Sequence, residues 1–209
     1  MNYTQRFTRL LGECRRQMNG AVVGSMRFYG REYGLNYGVS LPTIRSLAAL
    51  EGCGDHQYAK YLYQQQVREI QIVALHLADP KQITAEEMSF WSEGIINSEI
   101  AEEAAFALFQ HVDNVKLWLD SDDELLIYAA ILSISKGKLI EASAINTLII
   151  KLLQLDSLLI ATAIIVLLEN YYRDAGNQII IDDILSNLPE SKLTPRIIEE
   201  MQWRCECYK

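Results

Sequence analysis

The chain has 209 residues, of which 50% are hydrophobic, so it is long enough to bury a core and is not intrinsically disordered. Its net charge of −8 at pH 7 argues against a general, charge-driven nucleic-acid binder. The longest apolar run covers residues 157–168, shorter than the ~20 residues that a membrane-spanning helix needs. These features predict a soluble protein without a membrane partner.

The charge is unevenly distributed along the chain. Residues 1–68 carry nine Lys and Arg against four Asp and Glu, a net charge of +5, whereas residues 69–209 carry ten against 23, a net charge of −13. The basic third is suited to contact phosphate, and the acidic remainder would repel it. The alternative is a solvated surface of uneven sign that binds nothing.

The cysteines and histidines favour neither a disulfide framework nor a metal site. The three histidines are scattered singly, and the cysteines, which lack a framework spacing, are Cys14, Cys53, Cys205 and Cys207. We expect free thiols in a reducing compartment, with no metal and no cofactor. The N-terminus has no apolar signal core, and its early arginines fit the first helix of a bacterial cytoplasmic protein.

Helical patterns fill the first 80 residues. An amphipathic helix is predicted over residues 3–18 and a second over residues 21–33, followed by a turn-rich approach with glycines at every fourth position. Ser40 and Pro42 indicate the start of a third helix, since serine caps the free N–H groups and proline tolerates the first turn. Asp55 is expected to cap the next helix, and Pro80 to end an apolar helix that begins near Arg68.

The rest of the chain also has helical spacing and no linker. Helices are predicted over residues 84–93, 98–109, 113–118, 122–136, 138–154, 158–172 and from Thr194 onward. Asp156 is the expected cap of the helix over residues 158–172. Residues 179–181 resemble a strand by residue type, but helical spacing resumes immediately after them. We therefore predict an all-α fold in a single domain, residues 1–209.

One stretch resembles a known family. Residues 38–48 read Gly-Val-Ser-Leu-Pro-Thr-Ile-Arg-Ser-Leu-Ala, and residues 68–80 read Arg-Glu-Ile-Gln-Ile-Val-Ala-Leu-His-Leu-Ala-Asp-Pro. This pattern resembles the DNA alkylation-repair family of HEAT-like repeat proteins (AlkD-like alkylpurine DNA glycosylases). The resemblance covers roughly residues 20–175. It implies a right-handed αα superhelix of HEAT-like or ARM-type repeats whose concave face holds duplex DNA.

The resemblance also implies where a catalytic site would lie. In the family, an aspartate stabilises the positive charge on the sugar, two tryptophans contact the lesion, and an arginine holds the DNA backbone. Here Glu103 stands at the aspartate, Glu99 and Val166 at the tryptophans, and Tyr128 at the arginine. An alternative is that Glu99, Glu102 and Glu103 form the solvated face of a helix start. Trp91 and Trp118 are expected to line the core or the groove.

These substitutions predict a family member with a degenerate active site that serves as a DNA-structure or protein-binding module. One alternative is an active alkylpurine DNA glycosylase in which Glu103 and Tyr128 are catalytic. Another is a protein–protein scaffold without a DNA role. The candidate phosphate contacts are Arg27, Arg31, Arg45 and Arg68.

Overall fold

The computed structural model describes residues 2–52 and 54–208, and the described residues form helices, turns and one isolated β-bridge but no strand. Cys14, Cys205 and Cys207 form no disulfide among the described residues, and the prediction for Cys53 lies outside those residues. The chain divides into two units, Met1–Leu108 and Phe109–Lys209. The prediction of a single domain stays a prediction.

The first unit contains seven α-helices among its described residues. They are α1 (Tyr3–Arg16), α2 (Gly20–Phe28), α3 (Leu41–Glu51), α4 (His56–Tyr63), α5 (Arg68–Leu77), α6 (Met88–Ser92) and α7 (Ser98–Ala107), with a 3₁₀ turn at Pro80–Gln82. The centre of this unit is α5, which packs against α1, α3, α4 and α7. Every residue of α5 except His76 is buried.

The second unit is built around two apolar helices. Its α-helices are α8 (Glu124–Gly137), α9 (Ile145–Leu152), α10 (Leu158–Tyr172), α11 (Gln178–Ser186) and α12 (Thr194–Glu206), with 3₁₀ turns at Phe109–His111, Asp113–Asp120, Ala142–Ala144, Leu153–Leu155 and Ala175–Asn177. The helices α8 and α10 pack against each other, and α12 packs on α10. Nine consecutive residues of α8, from Ile127 to Ser135, are buried, which explains why this stretch lacks a clear amphipathic period.

Several predicted helix starts are confirmed. The Ser40 hydroxyl accepts from the N–H of Thr43, and Asp55 accepts from the N–H of Tyr58. Residues 178–186 are helical, so the strand suggested by the isoleucine run does not form. Trp91 and Trp118 are buried, as expected for core residues.

Other predicted boundaries are wrong for local reasons. Helix α2 ends at Phe28, five residues early, because Gly30 adopts a φ of +72°. Residues 85–87 form a turn instead of the predicted helix start, and the Glu87 carboxylate bonds to His56 and Lys60. The cap of α10 is Ser157 and not Asp156, which lies in the left-handed region at a φ of 47°.

The approach to α3 is held in place by a close backbone contact. The N–H of Asn19 donates to the carbonyl of Tyr37 at 2.8 Å. Gly38 has a φ of +73°, and a Cβ there would overlap the carbonyl oxygen of Asn19 and lie 3.0 Å from Val23. Position 38 therefore requires glycine for both its backbone conformation and its neighbours.

We expect Gly38→Ala to lower the free energy of unfolding by about 2–5 kcal/mol, through left-handed strain and overlap with Asn19. The matched control is Gly30→Ala, since Gly30 has almost the same φ with open space around it. It should cost only about 1–2 kcal/mol for the backbone conformation. Urea unfolding of both variants measures the difference, and equal losses would contradict the role of the contact.

Candidate nucleic-acid interface

A buried ion pair joins α5 to α7. Arg68, with 1% of its side chain exposed, donates from Nε to Glu99 at 2.7 Å and from Nη2 to the same carboxylate at 2.8 Å. Its Nη1 donates to the carbonyl of Val39 at 2.8 Å and to Glu69 at 3.0 Å. The guanidinium is therefore surrounded by acceptors and tied to three segments of the first unit.

Glu69 extends this network into the approach to α3. Its carboxylate accepts from the backbone N–H of Tyr37 at 3.2 Å and from that of Val39 at 3.1 Å. The carboxylate thus satisfies two buried N–H groups of the loop, which in a helix or sheet would have had backbone partners. Arg68 and Glu69, which help to carry the family resemblance, together position the segment that leads into α3.

Glu99 receives a second donor from the loop after α2. The Tyr33 hydroxyl bonds to the Glu99 carboxylate and also lies 3.2 Å from Asn97. Burial opposes ionisation of Glu99, but the hydrogen bonds from Arg68 and Tyr33 and the charge of Arg68 outweigh it, so its pKa lies below the ordinary value. Burial and the bond to Glu99 raise the pKa of Tyr33. Glu99 is thus held as a carboxylate.

Glu103 lies one helical turn further along α7 and has its own partners. Arg45 of α3 forms an ion pair with it, and the Arg45 Nε lies 3.4 Å from Oε2. The Nε2 atom of His76, on α5, lies 3.3 Å from the same Oε2 atom of Glu103. Burial raises the pKa of Glu103, but His76 and Arg45 lower it more, so the pKa lies below its ordinary value.

This arrangement corrects one interpretation made from the sequence. Glu99 and Glu103 have 3% and 4% of their surface exposed, so they do not form a solvated helix face. Their partners come from segments up to 66 residues distant in the chain. A helical pattern at the start of α7 contains no signal for such partners, because acids near a helix N-terminus are also favourable when exposed.

The four predicted phosphate contacts fall into different environments. Arg68 is enclosed, with all its described partners inside the protein, and Arg45 has 49% of its side chain exposed but pairs with Glu103. Arg27 and Arg31 line one cavity of about 340 Å³, and no described carboxylate lies within ion-pair distance of either. Arg27 and Arg31 thus form no ion pair with a described residue, although Glu32 also lines their cavity and the charge of Arg31 helps to lower the pKa of Glu99.

Two aromatic residues lie between these arginines in the chain. Helix α2 has no buried residue, and at its end Phe28 and Tyr29 are 83% and 75% exposed. The two rings contact each other edge to face, and their centroids are 5.2 Å apart. The sequence assigned these residues to a longer helix, so their exposure was not predicted. We call Arg27, Phe28, Tyr29 and Arg31 the arginine–aromatic surface.

The remaining predicted site residue lies in the second unit. Tyr128 belongs to α8 and has 6% of its surface exposed. Val166, at the position of the second tryptophan, belongs to α10. In the described part of the chain, no group of three metal-ligating side chains comes together, and no helix has the length and apolar character to cross a membrane.

Comparison with known proteins identifies the family of the chain. A model of the family described as DNA alkylation repair enzyme matches residues 15–176. The chain belongs to this family. No curated protein matches the sequence. The family match covers α2 to α10 in full, and so it includes both the buried network around Arg68 and the arginine–aromatic surface.

One solved structure supports the fold. It is described as a member of a new family of proteins related to the HEAT-like repeat DNA glycosylases with affinity for branched DNA structures. The TM-score is 0.75 and the identity 13%, over 94% of each chain. The chain therefore has the HEAT-like repeat fold that its sequence predicted.

Replacing Arg68 should show how much free energy it costs to bury Glu99 without a cation beside it. We expect Arg68→Met to lower the free energy of unfolding by about 3–5 kcal/mol at pH 7, because it leaves an uncompensated carboxylate inside the protein. The double variant Arg68→Met/Glu99→Leu should recover most of this loss, since apolar residues can replace a buried ion pair. Urea unfolding at pH 7 measures both. A stable single variant would show that Glu99 does not depend on Arg68.

The lowered pKa values of Glu99 and Glu103 determine how the stability of the protein depends on pH. Because the pKa of Glu99 and that of Glu103 are lowered in the folded state, both carboxylates stabilise the protein above the unfolded pKa of about 4.3. This contribution should be lost as the pH falls below about 4, through the lowered folded values. The deficit of Arg68→Met relative to the wild type should therefore shrink on acidification. A constant deficit down to acid unfolding would contradict this linkage.

Proposed function

We propose that this protein binds branched DNA through the arginine–aromatic surface of its first unit and does not excise bases. The observation that carries the proposal is the pairing of both acidic residues at the family's site positions with arginines, Glu99 with Arg68 and Glu103 with Arg45. A carboxylate that stabilises a developing positive charge on a sugar must direct its negative charge toward that atom. Here each negative charge is already compensated.

Glu103 has the environment of a structural carboxylate. With 5% of its side chain exposed and donors from α3 and α5, it has little access to a sugar atom. A glycosylase mechanism through Glu103 would first have to displace Arg45. This supports retention of the fold with loss of the excision step, as the change of residue type at the tryptophan positions already indicated.

The arginine–aromatic surface offers the chemistry that DNA binding requires. Arg27 and Arg31 form no ion pair among the described residues and can neutralise phosphates. Exposed rings such as Phe28 and Tyr29 provide stacking faces for bases that have left a duplex. Branched DNA presents both groups together, because unpaired or unstacked bases lie beside the backbone at the junction. The solved relative's affinity for branched DNA agrees with this choice.

The two other arginines take different roles in the proposal. Arg45 can reach a phosphate only by exchanging it for Glu103, so it belongs at the margin of the interface. Arg68 stays in its structural role, since it is enclosed between Glu69 and Glu99.

Removing Arg27 and Arg31 should weaken DNA binding and reduce its dependence on salt concentration. We expect Arg27→Ala/Arg31→Ala to bind a four-way junction more weakly and to reduce the slope of log K against log salt by roughly 2, about one for each lost phosphate contact. The measurement is fluorescence anisotropy over a salt series. The matched control is Arg196→Ala, which removes an exposed arginine of the second unit. Equal slopes for wild type and double variant would contradict the proposed surface.

Base excision is the direct test of the second half of the proposal. We expect the wild type to release no methylated purine from alkylated duplex DNA above the level of Glu103→Gln, with an active family member as positive control. The Glu103→Gln substitution should leave the fold intact, because its partner Arg45 is half exposed. Release that the substitution abolishes would establish a glycosylase acting through Glu103. Protein without junction binding or excision would favour a protein partner instead.

A further inference from the structure

A small cavity in the second unit is lined mainly by basic side chains. It lies between the C-terminal ends of α8 and α10 and has a volume of about 190 Å³. This is less than the roughly 300–1,000 Å³ of sites for drug-sized ligands, so the cavity suits one small group. Its lining residues are Ser135, Lys136, Lys138, Asn170, Arg173 and Asp174. We call it the lysine–arginine cavity.

The charge of this cavity is opposite in sign to that of the unit that contains it. Residues 109–209 carry nine Lys and Arg against 15 Asp and Glu, a net charge of −6. Three of these nine basic residues line the cavity, together with one of the 15 acidic residues, so the lining has a net charge of +2. On a unit that repels anions as a whole, such a cavity is a local place where an anion is attracted.

Both lysines keep ammonium donors that no described residue uses. Lys136 is exposed and forms no ion pair with a described residue. Lys138 bonds to the carboxylate of Asp174, and its Nζ lies 5.2 Å from the centroid of the Tyr171 ring. An ammonium has three N–H donors, so this ion pair leaves Lys138 with donors for a ligand. The side chains of Lys138 and Asp174 are 37% and 54% exposed, and an ion pair with this exposure is weak enough to open for a stronger anion.

Arg173 shares its carboxylate partner with a second guanidinium. It donates from Nη2 to Glu169 at 2.6 Å and from Nε to the Tyr208 hydroxyl at 2.7 Å. Glu169 also accepts from Arg204 and from the Tyr208 hydroxyl, so one carboxylate lies between two guanidiniums. The Nη1 group of Arg173 donates to none of the described residues. This terminal amino group can donate a charge-assisted hydrogen bond to an oxyanion.

Neutral side chains and the backbone fix the wall of the cavity. The Asn170 amide donates from Nδ2 to the Ser135 hydroxyl at 2.7 Å, and this hydroxyl donates to the carbonyl of Val166 at 3.2 Å. Lys138 has a φ of +50°, a conformation that favours glycine or asparagine at the end of a helix. A lysine at this position has a conformational cost, and a contact between its ammonium and a ligand would explain why it is there.

We propose that the lysine–arginine cavity binds a phosphate group. An oxyanion accepts hydrogen bonds from several directions, and Lys136, Lys138 and Arg173 provide N–H donors from two helix ends. The alternative is that these cations only offset the negative ends of α8 and α10. Each helix end corresponds to roughly −0.5 charge, so the two ends balance only about half of the +2 of the lining. The phosphate can come from the backbone of bound DNA or from free inorganic phosphate, and only the DNA source rests on the proposed function.

The test variant is Lys138→Asn, because the two roles predict different changes in stability. Asparagine tolerates the left-handed conformation, so the melting temperature should stay unchanged or rise. A lysine that only offset a helix end would lower the melting temperature when removed. We expect the affinity for inorganic phosphate to weaken roughly tenfold or more, followed by the amide NMR signals of residues 135–138. Lys136→Gln should weaken it too. The matched control is Lys192→Gln, an exposed lysine of the same unit outside the cavity, which should bind like the wild type.

A DNA measurement separates the two sources of the phosphate. With a four-way junction over a salt series, Lys136→Gln should reduce the slope of log K against log salt by about one if a DNA phosphate occupies the cavity. Phosphate binding with an unchanged slope would assign the cavity to the free anion. Failure of the wild type to bind any DNA would overturn the proposed function, and the phosphate titration would still decide the cavity. No saturable phosphate binding by the wild type, or equal affinities in Lys138→Asn and Lys192→Gln, would overturn the assignment of the cavity.

Discussion

The enclosure of one guanidinium determines how the first unit is organised. Arg68 is removed from water, which is costly for a charge, and it is compensated by carboxylates on both sides, Glu69 and Glu99. Because Glu69 also accepts from the backbone of Tyr37 and Val39, the same charge balance positions the loop that leads into α3. Helices α3, α5 and α7 therefore all contact one buried polar network.

This network explains why the fold alone can require the residues that carry the family resemblance. Gly38, Val39, Arg68 and Glu69, which carry much of the resemblance, act on backbone position and buried charge. None of them needs to touch a ligand to be required. Residues that would touch DNA lie at α2 and at the exposed side of Arg45, where substitution leaves the buried network unchanged. The motif is therefore informative about the fold and says little about the reaction.

Two cavities of the first unit differ in the chemistry of their lining. Arg27, Arg31 and Glu32 line one of them, and the exposed Phe28 and Tyr29 lie between the two arginines in the chain. Gln64, Gln66 and Gln71 line the other, which has no lining cation. Their separation follows from the chain, because the residues after α2 place Gly34 against the loop between α4 and α5. The second unit carries a net charge of −6 and the first a net charge of −2, so the second repels phosphate more strongly.

The sequence by itself determined the helical fold class, most helix positions and the family, since these follow from local spacing, capping residues and a motif of 40 or so residues. It also indicated that Glu99, Val166 and Tyr128 depart from the family's site. Tertiary structure decided which charges are compensated. The partners of Glu103 are Arg45 and His76, and those of Glu99 are Arg68 and Tyr33, from segments far apart in the chain. Burial and long-range pairing depend on how helices pack, and a local pattern of acids at a helix start is the same whether they are solvated or enclosed.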